Sequence, residues 1–468
     1  MRPRRGDRIA PVLAIGLAAL AAVAPKALGE AHGGSEAVRP TAAEAPATRR
    51  GEYDDPFVAF EAIRPLFVRS EDGAQYEVAS SRRRCFQAQS FPARKAAGEF
   101  RIFCLGGSTV WGRPYADETS FTTWLEMNLR LADPARAWRV INCGGISYAS
   151  YRVVPILKEV LGHGADLIVL YTGQNEFLEE RRYDPNGPAG AGPKPVLKAD
   201  VEAMLDYKGG RDKYHRDETW RRGVIEHFEF SVRRMVRMAR AAGVPILLMN
   251  PVSNLRDCPP FKSQHRDGLT APQLRRWAAL VREAEADAGL PSRTLRLYRD
   301  ALAIDEQYAD LHFRQADKLY ELGRVAEARA AYEKARELDV CPLRIVEPMH
   351  EAILAIAREN RLGLVDVRKH VEKRCADGIP GDTHLADHVH PRIAVHRSIA
   401  DLLIDEMARR GLLRPQPGWR LRQQQEAYRH LASLHAMYYQ NGVLRLYALK
   451  GWAAGLVDLA PPKPKARP

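Results

Sequence analysis

The sequence predicts a doubly wound α/β sandwich in which about five parallel strands alternate with helices. Five runs rich in β-branched and apolar residues recur along the chain: FRIFCL (100–105), WRVINC (138–143), DLIVLY (166–171), VPILLMN (244–250) and LGLVDV (362–367). Stretches such as SFTTWLEMNLRL and SYRVVPILKEVL lie between these runs and carry apolar residues at helical spacing. Strands that alternate with helices indicate a parallel sheet covered on both faces.

The connection between the fourth and fifth runs is too long for a single crossover helix. It holds 111 residues, 251–361, where a crossover with its loops needs far fewer. Inside it, residues recur 34 positions apart: Gly289 and Gly323, Tyr298 and Tyr332, Ala301 and Ala335, Asp305 and Asp339. This period resembles that of tetratricopeptide repeats. It predicts an inserted helical unit that leans on the α/β domain and is a candidate for binding a protein partner; an ordinary helical hairpin is the alternative.

The two ends of the chain differ from the middle in composition. Residues 1–30 combine the basic stretch MRPRRGDR with the uncharged run IAPVLAIGLAALAAVAP, which predicts a signal peptide or an N-terminal membrane anchor. Residues 31–53 read as a linker, and 54–250 with 362–412 as the two parts of the α/β domain. Residues 413–468 predict two amphipathic helices, EAYRHLASLHAMYYQNG and VLRLYALKGWAAGLVDL, as a cap on the helical layer, followed by a basic tail. We therefore expect an exported protein of the periplasm or cell envelope.

The overall composition excludes several classes of protein. With 468 residues, 46% hydrophobic and 28% charged, the chain has a globular composition. Its net charge of +13 is scattered among acidic residues, so we expect no nucleic-acid partner. The six cysteines show no zinc-ligand spacing and are too few for a disulfide scaffold. Cys104 and Cys143 end apolar runs and are expected to be buried, whereas the pairing of the other four stays open.

A candidate nucleophile and its base follow two of the predicted strands. In FRIFCLGGSTVWG, Ser108 comes after a strand and two glycines, at the carboxyl edge of the sheet where doubly wound folds bind ligands. In GDTHLADHVHP, Asp387 and His390 stand three residues apart just before Pro391, which predicts that they lie on the first turn of the next helix. A serine needs a base and the base needs an orienting group, so these three residues are candidates for a Ser-His-Asp triad.

The ends of two further strands offer donors to a developing oxyanion. Asn175, in YTGQNEF, carries a side-chain amide, and Gly144 or Gly145, in NCGGISY, exposes backbone N–H groups. Four segments that each follow a different strand thus supply a nucleophile, a base with its orienter, and two donors at one edge of the sheet.

In these four blocks, GGST, NCGGIS, GQNE and DHVHP, the chain resembles the SGNH hydrolases, a family of esterases, lipases and carbohydrate deacetylases. The resemblance implies a flavodoxin-like three-layer α/β/α fold and hydrolysis without a cofactor or metal. It implies an oxyanion hole built from Ser108, about Gly145 and Asn175. Two blocks depart from the usual pattern, with Gly107 in place of Asp and Asn175-Glu176 in place of Asn-Asp. The second block aligns equally with Ser147 or Tyr148 at the usual glycine position.

The sequence therefore predicts an exported serine esterase that acts on carboxylic esters, with O-acyl groups of envelope carbohydrate or lipid as candidate substrates. Arg256, in the loop after the fourth strand, is a candidate ligand for an anionic substrate group. Three alternatives remain open: an O-acyltransferase that uses the same site, an inactive envelope scaffold with a tetratricopeptide-like unit, and a metal-binding protein. The last would use the cluster His384, Asp387, His388 and His390.

Overall fold

The computed structural model describes residues 55–179, 181–183, 194–198, 213–286 and 290–454. The predicted signal or anchor segment, the linker and the basic tail after 454 lie outside these residues. Within them, no helix has the length and apolar character needed to cross a membrane.

The described part of the chain forms short strands near its beginning and then alternates strands with helices. The strands are β1 Ala59–Phe60, β2 Phe67–Arg69, β3 Gln75–Val78, β4 Ser90–Pro92, β5 Glu99–Gly106, β6 Ala137–Gly144, β7 Leu167–Tyr171, β8 Val196–Leu197, β9 Ile246–Asn250 and β10 Gly363–Asp366. The α-helices are α1 Ser108–Trp111, α2 Phe121–Ala132, α3 Ser150–Leu161, α4 Glu218–Ala241, α5 Ala271–Ala286, α6 Pro291–Ile304, α7 Ala309–Glu321, α8 Val325–Leu338, α9 Glu347–Glu359, α10 Val367–Glu372, α11 Ile393–Arg409, α12 Trp419–Ser433 and α13 Ala436–Ala453.

Five of the strands form one parallel sheet in the order β6-β5-β7-β9-β10. They overlap the five runs picked out in the sequence, so the prediction of an α/β fold with about five parallel strands is confirmed. In chain order the strands are arranged 2-1-3-4-5, which is the flavodoxin-like order. Gly106 pairs with both Gly144 and Tyr171, so β5, β6 and β7 end at the same level. The loops that follow these strands therefore meet at one edge.

Apolar layers cover both faces of this sheet, and together they make three layers. Successive residues of β5 alternate between the layers, because side chains along a strand point to opposite faces. Phe103 and Leu105 join a cluster with residues of α3, α4 and α9. Ile102 and Cys104 join a second cluster with residues of α2 and α11. Cys104 and Cys143 are fully buried as predicted, and all six cysteines are free thiols.

Helices α5 to α8 lie in the region predicted as an inserted helical unit, and each of them packs against the next. The residues that recur at 34 positions occupy equivalent places: Tyr298 and Tyr332 are buried, and Ala301 and Ala335 are completely inaccessible. Asp305 accepts a hydrogen bond from the N–H of Gln307 (3.0 Å), as Asp339 does from that of Cys341 (3.1 Å). Gly289 lies outside the described residues. The assignment to the tetratricopeptide class stays a prediction.

The region 251–361 is not helical insertion throughout. Helix α9 packs against α4 and β9, so it covers the sheet as the crossover helix before β10. Its apolar residues Met349, Ile353 and Ile356 belong to the core of the sandwich. The buried apolar residues of the four helices between 271 and 338 belong to other clusters than those that cover the sheet.

The C-terminal helices differ from their prediction in both position and packing. The break falls at Leu434 and His435, where the His435 side chain accepts the N–H of Met437 (3.2 Å), and Gly442 lies inside α13. A Cβ on Gly442 would come within 2.2 Å of the Tyr115 ring, so this glycine permits close packing and does not end a helix. Helix α12 packs on α2, and Trp452 of α13 stacks on Phe261 of the sandwich core. Both helices thus cover the α/β domain, and the expectation that they cap the helical unit is wrong.

Candidate active site

Two glycines place Ser108 at the point where β5 ends. A Cβ on Gly106 would lie 1.9 Å from the carbonyl oxygen of Tyr171, and one on Gly107 would lie 2.5 Å from Nδ2 of Asn175. The absence of both side chains lets the end of β7 and the loop after it come close to β5. Ser108 then opens α1 and is 7% exposed. The glycine pair is therefore explained by close approach of the neighbouring strand.

Ser108, His390 and Asp387 are joined by a chain of hydrogen bonds. Nε2 of His390 lies 2.7 Å from Oγ of Ser108, and Nδ1 of the same ring lies 2.7 Å from Oδ2 of Asp387. Ser108 and His390 are 282 positions apart in the sequence, and Asp387 and His390 are three apart. All three side chains are buried. The arrangement is that of a nucleophile, a base and a group that orients the base.

Asp387 and His390 lie in a loop, and the prediction that they sit on the first turn of a helix is wrong. Helix α11 begins at Ile393, and Pro391 forms an isolated antiparallel bridge with Leu385. The loop is closed by a hydrogen bond from the N–H of Ala386 to the carbonyl of His390 (2.8 Å). This closed loop, rather than a helical turn, places the carboxylate of Asp387 beside the imidazole of His390, three residues later.

The Asp387 carboxylate is held in its charged form. Burial by itself would raise the pKa of this carboxyl, but attraction and hydrogen bonding from His390 and the N–H groups of Val389 and His390 outweigh burial and hold the pKa well below its usual range. Both N–H groups donate to Oδ1 at 3.0 Å, which leaves Oδ2 for the imidazole. Asp387 is thus suited to fix the tautomer in which Nδ1 carries the proton and Nε2 faces Ser108.

Asn175 lies in the loop after β7, beside Gly107. Its Nδ2 donates to the carbonyl of Tyr148 (3.0 Å), and no acceptor among the described residues takes the second N–H of this amide. The neighbouring Glu176 is buried and accepts both the N–H (2.8 Å) and the hydroxyl (2.9 Å) of Ser150. Burial raises the pKa of the Glu176 carboxyl. These bonds tie the loop after β7 to the start of α3 and fix Asn175 against the cleft.

The backbone donor predicted at Gly145 is engaged elsewhere. Its N–H donates to the carbonyl of Gly106 (2.9 Å), because the ladder between β5 and β6 continues one residue past the last strand pair. Ser147, one of the alignments that the sequence left open, has a left-handed φ of 63° and lines the cleft. Within the described ranges its N–H has no acceptor. The N–H of Ser147, and not that of Gly145, is therefore available to a ligand in the cleft.

The triad and these donors line one cleft with a cavity volume of about 60 Å³. One wall comes from Leu449, Trp452 and Ala453 of α13, and Arg113 projects from the loop after α1. Sequence reasoning missed all four residues. Arg113 lies only five positions after Ser108 and could have been found from that spacing. The α13 residues gave no local signal, since only the tertiary packing of the helix brings them to the cleft.

Arg256, predicted as a ligand for an anionic substrate group, does not line this cleft and is engaged by other side chains. Its Nη1 donates to Oδ2 of Asp377 (2.8 Å) and lies 3.2 Å from the hydroxyl of Tyr320. A second carboxylate, that of Asp257, is 3.4 Å from Nη2. Because Tyr320 belongs to α7, this arginine joins the helical unit to the loop after β9.

The cluster between His384 and His390 does not converge on a common point. His390 and Asp387 bond to each other, Nδ1 of His384 lies 3.5 Å from Sγ of Cys375, and Nε2 of His388 lies 3.3 Å from the carbonyl of Pro259. Among the described residues, no group of three His, Cys, Asp or Glu side chains is arranged to hold a metal ion.

No protein-family model and no curated protein matches the chain. Solved structures similar to it include the α/β hydrolase LAE5 from the metagenome of Lake Arreo, Spain, and the acetylxylan esterase Axe2 from Geobacillus stearothermophilus. Each shows 13% identity and a TM-score of 0.33 over 66% of this chain, and over 95% and 94% of the respective neighbour. A putative lipolytic protein of the G-D-S-L family from Desulfitobacterium hafniense DCB-2 shows 10% identity and a TM-score of 0.32 over 65% of this chain and 98% of its own. A similarity at these values does not indicate the activity or the substrate of this chain. We therefore infer both from the geometry of the site.

Proposed function

We propose that this protein is a serine hydrolase of carboxylic esters. The observation that carries the proposal is the continuous chain Ser108, His390, Asp387, with 2.7 Å at both links, inside a cleft that also holds unengaged N–H donors. A serine hydroxyl becomes nucleophilic when a neutral imidazole accepts its proton in the step that forms the new bond. Asp387 supports this step because its carboxylate stabilises the imidazolium that results.

The reaction proceeds in two balanced halves. Oγ of Ser108 attacks the ester carbonyl while Nε2 of His390 takes the hydroxyl proton, and the tetrahedral intermediate collapses when His390 returns that proton to the departing alcohol. Water then attacks the acyl-enzyme, with His390 as base again, and the acid leaves as Ser108 recovers its proton.

Three donors support the charge that develops on the carbonyl oxygen. The N–H of Ser108 belongs to the first turn of α1 and has no partner within that helix. The N–H of Ser147 and the free N–H of the Asn175 amide complete the set, since all three residues line the same cleft. Such donors act most strongly in a site from which water is excluded, and one of them typically contributes about 10²–10³ in turnover.

The size of the cleft favours a short acyl group. A cavity of about 60 Å³ is small for a ligand-binding site. An acetyl group has three heavy atoms and suits a small cavity better than a longer acyl chain does. We therefore propose acetyl esters as the preferred class.

The test is hydrolysis of 4-nitrophenyl acetate, butyrate and hexanoate by the purified protein, with the Ser108→Ala variant as matched control. We expect activity that falls with chain length and is absent from the variant. Activity that survives in Ser108→Ala would contradict the assignment of the nucleophile, and a preference for hexanoate would contradict the acetyl class.

A further inference from the structure

An arginine that has no counter-ion among the described residues lines the catalytic cleft. Arg113 follows α1, and its backbone N–H donates to the carbonyl of Ser108 (3.1 Å). Its Nε is buried and has no hydrogen-bond partner in the part of the chain that the structure describes. No carboxylate in the described parts of the chain lies within ion-pair distance of this guanidinium; the nearby Asp387 is bonded to His390 and to two N–H groups. The side chain is half-buried, and its guanidinium is free to pair with an anionic group of a ligand in the cleft.

A second guanidinium increases this local positive charge. The Cζ atoms of Arg113 and Arg445 lie 5.8 and 5.9 Å from the centre of the Trp111 ring. Arg445, on α13, donates to the carbonyl of Tyr115 and forms no ion pair with any described carboxylate. Burial, together with repulsion from Arg445, lowers the pKa of Arg113 to about 10, so this side chain remains charged at neutral pH. The chain thus gathers positive charge beside Ser108.

We propose that Arg113 binds a carboxylate on the alcohol part of the substrate, so that the preferred substrate is an acetyl ester of an alcohol that also carries a carboxylate. A uronic acid serves as the test compound. This inference rests on the proposed function and adds its substrate class. A planar guanidinium binds a carboxylate through two parallel hydrogen bonds, and one such group matches the single charge of a carboxylate. Arg256, the arginine expected from the sequence, cannot act in this way because two aspartates already surround it.

The experiment compares matched esters on the full protein. Mono-O-acetyl methyl glucuronoside carries the carboxylate, whereas its methyl ester and mono-O-acetyl methyl glucoside are neutral. A fourth ester, an acetylated methyl glucoside 6-phosphate, tests whether phosphate is the preferred anion. We expect kcat/KM for the glucuronoside to exceed that for the neutral esters. In Arg113→Gln this preference falls by about 10- to 100-fold, as expected for the loss of hydrogen bonds to a charged group. Arg113→Lys retains the positive charge but lacks the two parallel N–H donors of the guanidinium, so its preference should lie between those of the parent protein and Arg113→Gln.

Arg222→Gln is the control for a change of net charge, since its side chain is 61% exposed on α4 and its nearest carboxylate is 4.0 Å away. We expect it to keep the full preference. Equal kcat/KM for charged and neutral esters, a preference unchanged in Arg113→Gln, or a stronger preference for the phosphorylated ester would each overturn the carboxylate assignment while leaving the esterase intact.

A binding measurement keeps the two proposals separable. Calorimetry on Ser108→Ala compares methyl glucuronoside with methyl glucoside and does not require turnover. If no ester is hydrolysed but the glucuronoside still binds through Arg113, the proposed function fails and the carboxylate site stands. If the glucuronoside binds no better than the glucoside, the carboxylate site fails, whatever the activity.

Discussion

The replacement Gly107→Ala tests how the Asn175 amide is positioned. The added Cβ would lie 2.5 Å from Nδ2 of Asn175, about 1 Å closer than ordinary van der Waals contact allows. Gly107 has φ −90° and ψ −157°, an extended conformation that alanine adopts, so the backbone carries no strain in the variant. Since the carbonyl of Tyr148 and the buried Glu176 hold the loop after β7, we expect the amide to move out of place while Ser108 and His390 stay paired.

A displacement of about 1 Å in a positioning group typically slows a reaction by about 10²-fold. We therefore expect kcat/KM of Gly107→Ala for 4-nitrophenyl acetate to fall by about 10²-fold, close to the value for Asn175→Ala. The double variant should be no slower than Asn175→Ala alone, because both changes remove the same donor. Full activity in Gly107→Ala, or losses that multiply in the double variant, would refute the reasoning; unfolding in urea checks that the variants remain folded.

Three further predictions follow from the same site and its surroundings. Asp387→Asn should lower kcat by about 10⁴-fold with little change in KM, since an amide holds the imidazole in the wrong tautomer. Initial rates over a range of substrate concentrations give both constants, and a loss of kcat below about tenfold would contradict the prediction. Ser147→Gly should keep kcat within about twofold, because the donor is the backbone N–H. It should raise the free energy of unfolding by about 1 kcal/mol, because glycine adopts the φ of 63° without strain. Strongly reduced turnover would show that the side chain is required. Burial lowers the pKa of His396 from 6.5 to about 3, so the free energy of unfolding falls as pH falls below 6.5, because only the unfolded chain then takes up the proton. The loss amounts to about 2 kcal/mol at pH 5. Urea titrations should show that the stability of His396→Gln depends less on pH by that amount, and an unchanged dependence would contradict the prediction.

The sheet could be predicted because its strands are buried on both faces. Such strands read as short apolar runs, and Phe103, Leu105, Ile102 and Cys104 on β5 serve both layers. Ser108, Asn175 and His390 could be predicted for a related reason, since each follows a strand whose carboxyl end must lie at the same edge. Sequence order and elementary topology thus bring these three side chains to one cleft.

The remaining features depend on where hydrogen bonds and packing end, which the sequence does not show. Gly145 and Ser147 differ by two positions, and the choice between them depends on how far the ladder of β5 and β6 runs. Arg113 and Arg256 look alike in sequence, and only the structure shows that Arg256 has two carboxylate neighbours whereas Arg113 has none within ion-pair distance among the described residues. Helix α13 reaches the cleft through the fit of Gly442 against Tyr115, a contact between residues more than three hundred positions apart.

The central claim is that Ser108 is an activated nucleophile, and labelling with a fluorophosphonate probe tests it most directly. Attack by Oγ expels fluoride and leaves a stable phosphonyl ester, so mass spectrometry of the digested protein identifies the modified residue without any assumption about the substrate. The account predicts stoichiometric labelling at Ser108, loss of esterase activity in parallel, and no label in Ser108→Ala or in folded His390→Ala. Folded protein that stays unlabelled, or label on another serine, would contradict it.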